Sequence, residues 1–381
     1  MTTAPPTPDT PCLRQSLVHG PLGTALLGIE RARRGTGDWH DVHRALAGIG
    51  PVTDGPDASL FLGAPAMTYV LHLAADGTDR YAGALRTLDD ALAQHTRRRL
   101  TAAHARIDSG QRTYFAEYDL VSGLTGLGSL LLRRRPGSPE MKGVLEYLVR
   151  LSEPTTDATG TSRPGWWVKH APVSDQQATP GGHANAGMAR GIAGPLTLLA
   201  LSLRAGITVD GHETAMARIC RWLDQIRQSD HRGLRWPRWI SNQGHAPALP
   251  VTPSWCYGTP GLVRAQQLAA ITLGESDRKR MAERSLLSCL TDRQQLDQIA
   301  DRGLCHGIGG LLRTVQRVAE DAETPTRFTG HLDHIATRFV TAEAPDKAGF
   351  LVGKAGAALA YQDLESGEQP QGQWDACLLL T

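Results

Sequence analysis

The sequence has little net charge, no long apolar run and few cysteines, and each shortage excludes something. A formal charge of +2 over 381 residues gives no reason to expect nucleic acid as a partner. The runs Arg97-Arg98-Arg99 and Arg133-Arg134-Arg135 are local, and read either as solvated helix ends or as a partner-binding patch. No uninterrupted apolar run approaches the ~20 residues that cross a bilayer, so no membrane span is expected. Residues 1–12 read as a disordered, Thr- and Pro-rich tail without the basic start and apolar core of a secretory signal. The expected location is therefore the cytoplasm. There, six widely spaced cysteines suit buried thiols or metal ligands better than disulfides. Paired catalytic carboxylates and an aspartate-rich box are also missing, which leaves glycoside hydrolysis and terpene cyclisation without support.

What is present is a repeat. With 41% hydrophobic and 20% charged residues the chain can bury a sizeable core, although its length fits one large domain or two ordinary ones. A Gly-x-x-Gly opening an apolar run occurs at Gly20/Gly23, Gly123/Gly126, Gly191/Gly194, Gly258/Gly261, Gly307/Gly310 and Gly353/Gly356, with a degenerate copy at Gly63/Ala66. Successive separations of 43, 60, 68, 67, 49 and 46 residues each accommodate a helical hairpin. The runs after the glycines, such as Leu196-Thr197-Leu198-Leu199-Ala200-Leu201, are apolar on nearly every face and predict buried inner helices. The stretches between are amphipathic. Thr214 to Asp230, for example, places Ile219, Trp222, Leu223 and Ile226 on one stripe of an outer helix. Seven such hairpins predict an all-α fold, an α/α toroid with a double ring of helices in a single domain over 13–381. An open helical solenoid is the alternative, but it usually keeps a stricter period. Residues 154–188, with Pro164-Gly165-Trp166-Trp167 and Pro180-Gly181-Gly182, read as a long ordered loop near the ring opening.

Aligning the copies on the first glycine sorts the polar residues. Two positions earlier stand Val18, Phe61, Val121, Ala189, Cys256, Cys305 and Leu351; one position earlier stand His19, Leu62, Ser122, Arg190, Tyr257, His306 and Val352. Two cysteines thus share a structural position in neighbouring repeats, and a histidine adjoins the second. Either cysteine alone would read as a buried thiol. Together with His306 they form a Cys₂His set, the ligand number of a catalytic zinc site with its fourth position open. Cys256, Cys305 and His306 are the candidate metal ligands, for one zinc ion per chain. His19 shares the register of His306 but has no cysteine beside it, and reads as a cap or core histidine.

The stretches Trp255-Cys256-Tyr257-Gly258-Thr259-Pro260-Gly261 and Cys305-His306-Gly307-Ile308-Gly309-Gly310 resemble the zinc motifs of the lanthionine synthetase C-like (LanC) family of lanthipeptide cyclases. Tyr118-Asp119 through Gly126, Asn185 through Gly194, Pro164-Gly165-Trp166-Trp167 and the closing Trp374-Asp375 are similar to further motifs of that family. The resemblance runs from Leu13 to the C-terminus. It implies that the chain adds peptide cysteines to dehydroalanine or dehydrobutyrine, forming lanthionine or methyllanthionine thioether rings. The implied partners are a dehydrated precursor peptide and the dehydratase that prepares it. Two other readings remain open: transfer of a small thiol such as glutathione, and a pseudo-enzyme that only binds the precursor or the dehydratase.

Two departures matter. The family pattern has His where this chain has Arg190, and usually Arg where it has Thr252. Arginine is a poor proton donor but can hold an enolate by hydrogen bonds, so the proton would come from Tyr257, water or His183. Asp119, Arg190 and Tyr257 are the candidate catalytic residues, and Trp255 and His183 the candidate substrate contacts. Asp119 is expected either to orient Tyr257 or a ligand, or to cap a helix.

Overall fold

In the computed structural model, which describes residues 11–156, 160–171, 179–242, 244–245, 252–366 and 373–381, every glycine signal lies at the start of a helix. The expected tail lies almost entirely outside the described residues, as do parts of the expected loop over 154–188. The longer helices are α1 (Pro21–Arg33), α2 (Trp39–Ala47), α3 (Ala64–Ala75), α4 (Ala82–Asp108), α5 (Leu124–Arg134), α6 (Pro139–Ser152), α7 (Ala193–Arg204), α8 (His212–Ile226), α9 (Thr259–Leu273), α10 (Ser276–Thr291), α11 (Ile308–Glu320), α12 (Thr329–Thr341) and α13 (Lys354–Ser366). The odd-numbered helices follow the glycines. Each packs on the next odd one, and α13 returns to pack on α1. The even-numbered helices α2 to α12 each pack on the odd helix before them.

Sequence explains this division. In α7 every residue from Ala193 to Ser202 is buried, as its unbroken apolar run requires. Two hydroxyls trapped in such helices bond back one turn, Thr197 to the Ala193 carbonyl at 2.7 Å and Thr314 to that of Gly310 at 2.8 Å, so neither donor is stranded. In α8, by contrast, only the stripe containing Ile219, Trp222, Leu223 and Ile226 is buried. That helix begins at His212 and stops at Ile226, short of the expected Asp230. Residues Gln228–Asp230 instead form a strand paired with Gly233–Arg235. The second glycine of each pair is set by close approach. A Cβ at Gly310 or Gly356 would strike the carbonyl oxygen six residues earlier, of Leu304 or Phe350 respectively.

The chain is mostly helical, with a little strand that the all-α expectation did not include. His183–Asn185 pairs antiparallel with Trp239–Ser241, which pairs with Gly244–His245. These strands come from the longer interhelical segments. Trp166 and Trp167 of the expected loop are buried. The C-terminal segment is also buried: the Trp255 indole donates to the Leu378 carbonyl at 2.9 Å, Arg264 to that of Leu380 at 2.8 Å, and Arg313 and Arg317 both bind Asp375. No helix among the described residues is long and apolar enough to cross a membrane.

Candidate metal centre

The turns that precede the odd helices are stitched by main-chain hydrogen bonds. Cys305 N–H donates to the Leu351 carbonyl (2.9 Å), Cys256 N–H to that of Cys305 (3.2 Å), Met188 N–H to that of Cys256 (3.0 Å) and Leu120 N–H to that of Ala189 (3.1 Å). These bonds run through the register position two residues before the glycine. They bring Cys256 and Cys305 side by side although 49 positions separate them in the chain. The two sulfurs and a ring nitrogen of His306 all lie within 4.8 Å of one another.

That donor set fits zinc, which takes thiolate and imidazole ligands whose donor atoms sit ~3.5–4 Å apart in a tetrahedral site. Burial is graded across the set, from buried Cys256 through half-buried Cys305 to exposed His306, so the set reaches solvent at His306. A hydrogen bond from Cys305, with further help from His306 and from Ser254, holds the Cys256 thiol well below its usual range. Ser254 Oγ stands 3.5 Å from that sulfur. The pair gives up its first proton readily and keeps its second, which stays with Cys305. The same Cys256 contact raises the proton affinity of His306. Three other thiols differ: burial pushes Cys220, Cys289 and Cys377 up to about 12, as in inert core cysteines.

Tyr257 follows Cys256 and lies flat in a tight slot. Gly187 forms one wall; a Cβ there would lie 2.5 Å from the ring and 2.6 Å from the Cys256 carbonyl oxygen. The guanidinium of Arg238 covers the ring at 5.3 Å from its centroid, and Asn185 Nδ2 approaches the hydroxyl at 3.5 Å. Burial pushes the phenol up to about 12. Arg190 Nη1 donates to Asp119 Oδ2 at 3.2 Å; the arginine side chain is 42% exposed and the aspartate wholly buried. Burial raises Asp119 to about 6, against the opposing effect of Arg190.

Several expectations change here. No hydrogen bond joins Asp119 to Tyr257: its Oδ1 accepts the Ser122 N–H at 2.6 Å, bracing the turn before α5, while Oδ2 holds Arg190. Trp255 does not face a substrate. Its ring is wholly buried and anchors the C-terminal segment. His183 is likewise wholly buried, edge-on to Phe115, His170 and Trp239, and burial lowers it to about 4. It can neither touch a substrate nor serve as a ready proton source. His19, expected as a cap or core histidine, is exposed. Thr252 hydrogen-bonds Gln298 at the surface. Sequence reasoning missed Ser254, Asn185 and Arg238 as neighbours of the site. The first two lie within or beside the motifs; Arg238 lies outside the repeat register, and only the fold brings it here.

A mostly helical chain presenting two cysteines and a histidine on adjoining turns is a candidate helical metalloprotein. Its sequence matches the family described as lanthionine synthetase C-like protein over residues 11–379, and the chain belongs to that family. Among solved structures it is similar to nisin cyclase, with a TM-score of 0.78 and 19% identity over 97% of this chain and 92% of that one. No curated protein sequence matches it.

Proposed function

We propose that this protein is a zinc-dependent lanthipeptide cyclase, a single seven-repeat α/α toroid working in the cytoplasm on a precursor peptide already acted on by a dehydratase. The observation that carries the reading is the convergence of Cys256, Cys305 and His306, held by the Cys256-to-Cys305 main-chain bond. The unbroken circuit of packing from α1 through α13 and back supports the toroid, and the family membership supports the chemistry. Zinc held by these three residues would supply the Lewis acidity that ionises a peptide thiol near neutral pH.

The other residues then have separate tasks. A substrate thiolate adds to the β-carbon of dehydroalanine or dehydrobutyrine, forming the C–S bond. The alkene electron pair moves toward the neighbouring carbonyl, giving an enolate that must be held and then protonated at the α-carbon. Tyr257 is the proton donor: a phenol near 12 is weakly acidic toward water, yet far more acidic than the α-carbon of a peptide. Asp119 fixes Arg190 at the rim, where the remaining guanidinium hydrogens meet the substrate backbone.

The test is mass spectrometry of a dehydrated precursor after alkylation of free thiols. With the protein present, each ring should remove one alkylatable thiol without changing the mass of the unalkylated peptide. Tight binding without ring closure would replace this reading with a binding protein, and thiol loss only when glutathione is added would replace it with a transferase.

A further inference from the structure

Arginines in this protein are commonly neutralised. Arg313 and Arg317 hold Asp375, Arg106 holds Glu117, Arg278 holds Asp224, and Arg190 holds Asp119. Arg238 is different: half-buried at the candidate site, it forms no ion pair among the described residues. Withdrawing a guanidinium from water without a counter-charge is unfavourable, so local structure must hold it there. Two contacts do so. Its carbonyl accepts the Ala186 N–H at 2.9 Å, beside the strand pairing of His183–Asn185 with Trp239–Ser241. Its guanidinium lies over the Tyr257 ring, a cation–π arrangement that leaves its N–H donors unused. The charge therefore lies against the candidate proton donor, which adjoins the candidate metal ligand Cys256.

We propose that Arg238 binds the carbonyl oxygen of the dehydroamino-acid residue under attack and holds the negative charge that develops on it. The proposal rests on the cyclase reading above. Sulfur bonds to the β-carbon as the alkene pair shifts to form the enolate, and the guanidinium hydrogens hold the resulting oxyanion. A proton then adds at the α-carbon and restores the carbonyl. The proton lost by the thiol balances the proton gained at carbon, and no oxidant or reductant takes part. Arg190 is less suited to this task because Asp119 already neutralises it, whereas the Arg238 charge is uncompensated.

Two measurements test the assignment. In single-turnover ring closure on a synthetic peptide with one dehydroalanine and one cysteine, Arg238→Ala should slow the reaction by on the order of 10²-fold. Zinc content and unfolding temperature should stay at wild-type values, and Arg238→Lys should recover part of the rate. An unchanged rate in Arg238→Ala, or loss of zinc along with activity, overturns the proposal. The second measurement needs no turnover. A peptide ending in alanine at the acceptor position is compared as its free C-terminal carboxylate and as its amide, the carboxylate placing an anionic oxygen where the enolate oxygen would form. Wild type should bind the carboxylate at least about tenfold more tightly, and Arg238→Ala should lose the preference. No preference in wild type, or no binding of either peptide, also overturns the proposal. If wild type closes no ring but keeps the preference, the cyclase reading fails while anion binding by Arg238 stands.

Discussion

Replacing Gly187 with alanine should disturb the candidate metal centre without altering any candidate ligand or charged residue. The new methyl carbon would lie 2.5 Å from Tyr257 Cδ1, 2.8 Å from Cε1 and 2.6 Å from the Cys256 carbonyl oxygen, where ordinary contact begins near 3.4 Å. The ring cannot simply retreat, because Arg238 covers it. The carbonyl is fixed by the N–H groups of Met188 and Ala189. Overpacking of this kind costs about 1–3 kcal/mol. Unfolding entropy of ~2.1 cal/mol/K per residue gives about 0.8 kcal/mol/K for 381 residues, so the melting temperature should fall by only about 1–4 °C. Zinc affinity is the more sensitive assay. If the strain is relieved by moving the Cys256 main chain away from Cys305, the same energy weakens zinc binding by about 5- to 150-fold, measurable by competition with a chromophoric chelator. Gly137→Ala, where a methyl group meets nothing within 4 Å, is the control and should change neither quantity. Zinc affinity within twofold of wild type, with an unchanged melting temperature, would refute the rigid wedge between Gly187, Tyr257 and Cys256.

Three further outcomes follow from the same geometry. Purified protein should carry about one zinc per chain, and Cys305→Ala should lose it while keeping its helical circular dichroism, because a three-ligand site adds little to a fold whose core lies elsewhere. Asp119 should impose an acidic limb on ring closure: its carboxyl, raised to about 6, protonates as the pH falls through that value and releases Arg190, so the rate should drop there. Asp119→Asn should lack the limb and stay slow. The stability linkage of the same group has the opposite sense, since a raised carboxyl contributes stability fully present below 3.8 and lost as pH rises through about 6. Trp255→Phe should remove the buried hydrogen bond to Leu378, cost about 1–3 kcal/mol through the unpaired carbonyl, and speed carboxypeptidase digestion of the C-terminal segment; unchanged digestion would refute the anchoring role.

The inner helices and the candidate ligands were legible in the sequence for one reason: both are repeated. Glycine is required wherever a Cβ would strike the carbonyl six residues earlier, so Gly310 and Gly356 mark equivalent turns, and counting from such marks aligned Cys256 with Cys305. Burial of an entire helix likewise writes an unbroken apolar run, as in Ala193 to Ser202. The orientation of single side chains carries no such mark. Trp255 adjoins a candidate ligand in sequence, yet its ring points to the C-terminal segment, because successive residues of a tight turn face different ways. Asp119 was placed at the site by its motif, and His183 by its nearness in sequence to the Asn185 motif. Burial among aromatic rings removed His183, and the long-range pairing with Arg190 gave Asp119 its partner. Arg238 lies outside the register, and a strand pairing brings it over Tyr257. The inner helices and the residue types that share a position could be read without the fold, because they depend on local periodicity and on steric limits at the backbone. Which charges meet could not, because that depends on contacts between residues far apart in the chain.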